Sequence, residues 1–201
     1  TLSGDGRYLM GDFTVTHNSM VACYMAACGI LQGENAGYLS LELPESEIHK
    51  RVLAAIVGVT INELEDPKTR REALLILASM KKTRKIGRLF VTKLEAGTVD
   101  VLAVQAWFKF QEQAHDVRIR YRVVDYGDLV ESFDRSDRES AYNKGKTVWQ
   151  GLANMAQNKE EPNWVLVPTQ SKRPAWKIGQ PIPVLTRTDV PDSHHKTKIT
   201  D

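Results

Sequence analysis

Three polar residues come just after short apolar runs of the sequence. Glu42 follows GYLSL, Asp125 follows RVV, and Gln170 follows WVLV after two further residues. Each residue taken alone is most simply explained as the end of a strand or as a cap. If the runs are strands of one parallel sheet, however, their carboxyl ends share an edge, and such sheets bind ligands at that edge. Together the three residues therefore predict a site.

The residue types at this predicted edge suit phosphoryl chemistry. That chemistry needs an acidic group to support a magnesium ion, a residue that activates the attacking water, and a cradle for the phosphates. Asp125 suits the magnesium role, and Glu42 can act as the general base on water. Gln170 can sense the phosphate and pass its state to the following loop.

The phosphate cradle is the part that the sequence lacks. A phosphate loop has the pattern G-x-x-x-x-G-K-[ST] directly before a helix. Ser19 opens an apolar helix and fits the magnesium-binding hydroxyl, but Thr16, His17 and Asn18 stand where the glycine and lysine belong. The chain as written should therefore hold a triphosphate poorly.

Alternating strands and helices are predicted to position these residues. Apolar spacing predicts helices at 20–31, 45–57, 71–82, about 99–115 and around 148–156, and strands at 37–41, 88–93, up to 125 and at 164–167. The segment Glu131–Lys144 mixes both charges without an apolar period, which predicts a mobile loop. The alternation indicates an α/β fold whose mostly parallel sheet is covered by helices on both faces.

The composition is that of a globular domain. The 201 residues are 42% hydrophobic and 26% charged, and 27 basic against 25 acidic residues give a net charge of +2, so any polyanion site must be local. The two cysteines, Cys23 and Cys28, lie five apart in an apolar run and predict small buried residues in a reducing compartment. No apolar stretch is long enough to cross a bilayer. We therefore expect a soluble, cytoplasmic protein without a membrane partner.

Several segments resemble, in order, the RecA-like ATPase domain of DnaB-type replicative helicases. They are Tyr38-Leu-Ser-Leu-Glu-Leu-Pro, Val123-Val-Asp-Tyr-Gly-Asp-Leu, the helix at 146–156, and Val167-Pro-Thr-Gln-Ser-Lys-Arg. The resemblance covers 19–201 and implies a RecA-like P-loop NTPase core truncated at both ends. It further implies that ATP and Mg2+ are the cofactors, that the protein moves along single-stranded DNA, and that the full-length protein is a homo-hexamer from a bacterium or phage.

The resemblance also assigns roles to individual residues. It implies that Glu42 is the catalytic base, that Asp125 supports magnesium together with Ser19, and that Gln170 is the strand-end glutamine of the nucleotide site. The basic residues Lys172 and Arg173 follow that glutamine and suit either a DNA backbone or the nucleotide of a neighbouring subunit. The family's arginine finger is expected beyond Asp201.

Residues 1–18 resemble the last blocks of an intein, which end in His-Asn before Ser, Thr or Cys. In that interpretation Asn18 cyclises onto its own carbonyl, His17 protonates the leaving amine, and Ser19 accepts the upstream acyl chain. The division is then an intein segment at 1–18 and a partial helicase domain at 19–201, with an upstream intein or extein half as partner. The alternative is that His-Asn-Ser is a helix-capping turn that arose by chance.

Two other functions stay open. The chain could be a RecA-like ATPase of another role, such as a recombinase or clock-type protein. It could instead be a protein-splicing C-fragment that is inactive as an ATPase until it is ligated. Length beyond Asp201 and an attached primase-binding domain would separate the helicase from the other RecA-like ATPases. The residues immediately upstream of Thr1 would be the most useful single observation.

Overall fold

The computed structural model describes residues 8–9, 15–16, 18–83, 85–132, 141–157 and 162–169. The helices are α1 (Asn18–Leu31), α2 (Glu45–Val57), α3 (Pro67–Thr83), α4 (Val101–His115) and α5 (Ala141–Ala156). The strands are β1 (Tyr8–Leu9), β2 (Val15–Thr16), β3 (Asn35–Ser40), β4 (Leu89–Lys93), β5 (Ile119–Asp125) and β6 (Trp164–Leu166). Short 3-10 helices lie at Glu63–Glu65 and Gly127–Leu129.

Strands β3 to β6 form one sheet in the order β4-β3-β5-β6, and every neighbouring pair in it is parallel. Ser40 of β3 lies opposite both Lys93 of β4 and Asp125 of β5, so these three strands end together. The α/β fold with a parallel sheet that the sequence predicts is therefore confirmed. Strands β1 and β2 form a separate antiparallel pair.

Helices cover both faces of the parallel sheet. Because side chains alternate along a strand, Tyr38 and Val123 pack against α1 and α2, whereas Leu39 and Val124 pack against α4 and α5. Asp125 has the same parity along β5 as Val123, so it faces the α1 side. The alternation of side chains along β5 thus points the Asp125 carboxylate toward α1, which carries Ser19 in its first turn.

The apolar patterns predict most of the elements well, and helix α2 has the bounds expected from them. The main correction concerns 131–144, because α5 already begins at Ala141 inside the predicted loop. The apolar spacing of that helix becomes visible only from Val148, so its first turns carry no apolar signal. Both cysteines are free; Cys23 is buried and Cys28 half-buried. None of the described helices is long and apolar enough to cross a membrane.

Candidate active site

Asp125, the last residue of β5, is a fully buried carboxylate at the carboxyl edge of the sheet. Its Oδ2 accepts a hydrogen bond of 2.6 Å from the hydroxyl of Tyr38, which is also fully buried. Its Oδ1 is buried and has no hydrogen-bond partner among the described residues. A buried polar atom without a partner is costly, so this oxygen marks a place where a ligand or an ordered water is needed.

A hydrated magnesium ion fits that oxygen. Carboxylate and hydroxyl oxygens are the hard donors that Mg2+ prefers, and the ion usually keeps several waters while one or two protein groups and a substrate phosphate hold it. Ser19 supplies a hydroxyl on the same face of the sheet, in the first turn of α1, and is only 8% exposed. The donor types of Asp125 and Ser19 therefore fit the ion that the sequence predicts.

Glu42 is exposed and lies in the loop that leaves β3, two residues beyond the end of the strand. Hydrogen bonds hold the backbone on both sides of it. The Leu41 amide donates to the Asp125 carbonyl at 2.8 Å. The hydroxyl of Ser40 donates to the Leu43 carbonyl at 2.7 Å and accepts from the Leu43 amide at 2.9 Å. The loop thus presents an exposed carboxylate from a fixed backbone, which suits a base that acts on water.

Lys93, at the carboxyl end of β4, supports the same loop. Its ammonium donates to the Leu41 carbonyl at 3.0 Å, and its backbone amide donates to Glu45 Oε1 at 3.1 Å. Both backbone groups of Leu41 are therefore bonded, one to β5 and one to β4. The loop that carries Glu42 is anchored to both neighbours of β3.

Negative charge accumulates around Tyr126, the residue after Asp125. The pKa of Tyr126 is raised, first by its burial and then by the negative charges of Glu42, Asp128 and Asp125. The carboxylates that follow β3 and β5 thus make this edge of the sheet negative. A cluster of this sign attracts a cation, which agrees with a magnesium site at this edge.

The loop after β6 is bonded to the loop after β5. The Gly127 amide donates to the Pro168 carbonyl at 3.2 Å, and the Thr169 hydroxyl donates to Asp128 Oδ2 at 2.6 Å. These two bonds join the loop after β6, as far as Thr169, to the loop after β5. Gln170 itself lies outside the described residues, as do Lys172 and Arg173, so their predicted roles stay predictions.

Helix α1 begins at Asn18, which places Ser19 in its first turn. The amide groups of a first turn have no partner within the helix and favour an anion such as a phosphate. His17 lies outside the described residues, and the sequence before Ser19 still has no phosphate-loop glycine and lysine. Among the described residues, the terminus of α1 and the Ser19 hydroxyl are the groups here that could bind a phosphate.

A depression of about 390 Å³ lies between α2 and the 3-10 helix Glu63–Glu65, away from this edge, and is bordered by Glu47, Lys50 and Glu65. The Lys50 ammonium lies 2.6 Å from Glu65 Oε1 and 3.0 Å from Glu47 Oε1. The charged groups around this depression thus pair with one another, and none of the residues predicted to be functional lines the depression. We place the candidate site at the carboxyl edge of the sheet.

Comparison with solved structures gives the same fold. One match is a DnaB-like replicative helicase, solved together with its interactions with primase, with a TM-score of 0.57 and 13% identity over 78% of this chain and 36% of that one. Another is an ATPase domain, with a TM-score of 0.61 and 15% identity over 90% of this chain and 62% of that one. The chain thus spans less than two thirds of either structure. No family model matches the sequence, and no curated protein does. The identities are low, so the likeness shows a shared α/β fold with a parallel sheet and nothing finer.

Sequence reasoning missed Tyr38, Ser40 and Lys93 as parts of the site. The rule that identified Glu42 also applies to Lys93, a polar residue at the end of a predicted strand. Tyr38 gave no such signal, because it lies within an apolar run and reaches Asp125 only through the pairing of β3 with β5. The sequence likewise does not indicate that the Ser40 hydroxyl forms hydrogen bonds with the Leu43 backbone.

Proposed function

We propose that this chain is part of the ATPase domain of a replicative DNA helicase, which hydrolyses ATP with Mg2+ and moves along single-stranded DNA as a homo-hexamer. The observation that carries the proposal is the buried Asp125 Oδ1, which has no hydrogen-bond partner among the described residues, beside the anchored Glu42 loop. The fold shared with a DnaB-like replicative helicase supports it, as do the sequence segments that surround both carboxylates.

In this proposal each residue has a distinct task. Asp125 and Ser19 would hold Mg2+, which, when bound, neutralises charge on the transferred phosphoryl group. Glu42 accepts the proton of the water that attacks the terminal phosphate, and its exposed position on a fixed loop lets it reach that water. Lys93 and Ser40 keep the Glu42 backbone in place. Gln170 would respond to the presence of the phosphate, and Lys172 and Arg173 would contact DNA or a neighbouring subunit.

The test uses the protein with a complete phosphate loop joined to Ser19. Glu42→Gln should keep ATP binding but lower the ATPase rate by about a hundredfold to ten-thousandfold, the usual contribution of a general base. Asp125→Asn should weaken ATP binding in the presence of Mg2+ as well. Glu72→Gln, on the exposed part of α3, is the matched control and should keep the wild-type rate. Wild-type ATPase activity in Glu42→Gln would remove Glu42 from the site.

Assays with DNA separate the helicase from a RecA-like ATPase of another role. The helicase should show ATPase activity stimulated by single-stranded DNA and should unwind a forked duplex. Hydrolysis without unwinding would instead favour a recombinase or clock-type ATPase on the same fold.

We further propose that residues 1–18 are the C-terminal segment of an intein that interrupts the phosphate loop. The supporting observation is that α1 begins at Asn18, in the phosphate-loop position, although the preceding residues lack the loop pattern. The side-chain nitrogen of Asn18 would attack its own carbonyl carbon and break the bond to Ser19, whose released amine takes a proton from His17. The Ser19 hydroxyl would already carry the upstream acyl chain as an ester, which then rearranges to an amide.

Splicing is tested by mixing the chain with a matching N-terminal intein half and weighing the products by mass spectrometry. A polypeptide that begins at Ser19 and is ligated to the partner's extein is expected. Asn18→Ala should block cleavage, whereas Ser19→Ala should permit cleavage at Asn18 without ligation. Calorimetry should then show tight Mg·ATP binding by the ligated product and weak binding by the unspliced chain. Tight binding by the unspliced chain would refute the intein interpretation.

A further inference from the structure

The hydroxyl of Tyr38 is placed to orient the carboxylate of Asp125. Tyr38 lies on β3, two residues before the Ser40 that pairs with Asp125, and on the same face of the sheet. Its hydroxyl donates to Asp125 Oδ2 at 2.6 Å, and both residues are fully buried. A bond this short between two buried groups leaves the carboxylate little freedom to rotate. The bond occupies Oδ2, whereas the other oxygen, Oδ1, has no hydrogen-bond partner among the described residues.

The chemistry of the donor is suited to a carboxylate that must hold a cation. An arginine or lysine in the place of Tyr38 would neutralise Asp125 and compete with the ion, whereas a phenol donates a hydrogen bond and carries no charge. A tyrosine hydroxyl is already neutral at pH 7, and burial raises the pKa of Tyr38 further. The phenol therefore keeps its proton across the physiological range and remains a donor.

Tyr38 also connects Asp125 to the helix that Ser19 opens. Cys23, on α1, lies in the same buried cluster as Tyr38, and burial raises the pKa of its thiol to about 11. One phenol thus touches the strand end that carries the carboxylate and the helix that carries the serine.

We propose that Tyr38 is a positioning residue, whose hydroxyl holds Asp125 so that Oδ1 faces a divalent cation. This inference rests on the proposed function of the site. It predicts that loss of the hydroxyl weakens the use of Mg2+ more than it affects the folded core, because phenylalanine keeps the ring. Removal of an outer hydrogen bond to a metal ligand commonly costs about 10-fold to 100-fold in metal affinity or activity.

The experiment compares Tyr38→Phe with Tyr121→Phe in the protein with a complete phosphate loop. Tyr121 is the matched control, since it lies on the same sheet face in the adjacent strand, and its hydroxyl is 3.4 Å from Gln32 Oε1, away from the site. ATPase rates are measured over a Mg2+ titration at saturating ATP, and thermal unfolding is recorded for each variant. Tyr38→Phe should raise the Mg2+ concentration for half-maximal rate about 10-fold or more, with a smaller change in the rate at saturating Mg2+.

Asp125→Asn is included so that the two proposals can fail separately. Unchanged Mg2+ dependence in Tyr38→Phe, with Asp125→Asn impaired, would overturn the positioning role and leave the site intact. An equal shift in both tyrosine variants would also overturn it, because the effect would then come from general packing. A wild-type Mg2+ dependence in Asp125→Asn would overturn the proposed site itself, and the inference with it.

Discussion

Replacement of Ser40 by alanine should loosen the loop that carries Glu42. The fully buried Ser40 hydroxyl makes two hydrogen bonds to Leu43, of 2.7 and 2.9 Å, and alanine removes both. Each bond contributes about 0.5–1.5 kcal/mol. Leu43 is half-buried, so water replaces part of the loss. We therefore expect the free energy of unfolding to fall by about 1–2 kcal/mol, which lowers Tm by roughly 2–8 °C in a domain of this size.

The same substitution should separate catalysis from nucleotide binding. In Ser40→Ala, Leu41 keeps its hydrogen bonds to β4 and β5. Only the backbone after Glu42, at Leu43, should therefore lose its hydrogen bonds and become more mobile. In the protein with a complete phosphate loop we expect kcat for ATP to fall about 10-fold to 100-fold, because small misplacements of a reacting group cost rates of that order. The affinity for Mg·ATP should be nearly unchanged.

Urea unfolding of the present chain measures the first effect, and steady-state ATPase kinetics measure the second. Ser46→Ala, an exposed serine on α2, is the control and should lie within about 0.5 kcal/mol of wild type. If Ser40→Ala unfolds like Ser46→Ala and keeps the wild-type kcat, the Ser40 bonds do not hold Glu42, and the reasoning fails.

Three further predictions concern the core and the buried thiol. Phe108 is fully buried, so Phe108→Ala should lower the free energy of unfolding, measured in urea, by about 3–5 kcal/mol. Phe110 is 63% exposed, so Phe110→Ala should lower it far less. Equal losses would contradict the assigned core. The free energy of unfolding should also fall by up to about 2–3 kcal/mol as pH rises from 9 to 11. The reason is that the Cys23 thiol ionises with an ordinary pKa of 9.0 in the unfolded chain and of about 11 in the folded chain. Cys23→Ala should make the free energy of unfolding depend less on pH in this range. A thiol reagent at pH 8 should label Cys28 in the native chain and Cys23 only after unfolding, and equal labelling rates would contradict the burial of Cys23.

Sequence patterns predict the helices better than the ends of the strands. In α2, Ile48, Val52 and Ile56 recur every four residues and all three are buried, and Pro44 and Gly58 bound the segment. Such a period specifies both the face and the extent of a helix. For strand β5 the sequence indicates only the end, from Arg122 to Asp125, whereas the strand starts at Ile119 and also includes Arg120. Arg122 lies over the ring of Phe108 and pairs with Glu112 at 3.0 Å, so tertiary contacts satisfy its charge within the strand.

The site is harder to predict than the fold because its contacts join distant parts of the chain. Tyr38 and Asp125 are 87 residues apart in the sequence. Apolar runs show that both belong to strands, but they do not show that the two strands are neighbours or in which register they pair. The contact between Lys93 and Leu41 depends on the same information for β3 and β4. Sequence reasoning could therefore name the carboxylates and could not name the residues that hold them.

Register also gives the two carboxylates different environments, which suit the separate tasks proposed for them. With Ser40 opposite Asp125, the side chain of Asp125 points into the space under α1, where it is buried and held by Tyr38. Glu42 lies beyond the end of β3 and is exposed to solvent. A shift of one residue would place Val124 or Tyr126 opposite Ser40 and turn Asp125 to the other face of the sheet. An acidic residue that holds an ion and one that receives a proton from water need these two different environments, and the pairing of β3 with β5 supplies both.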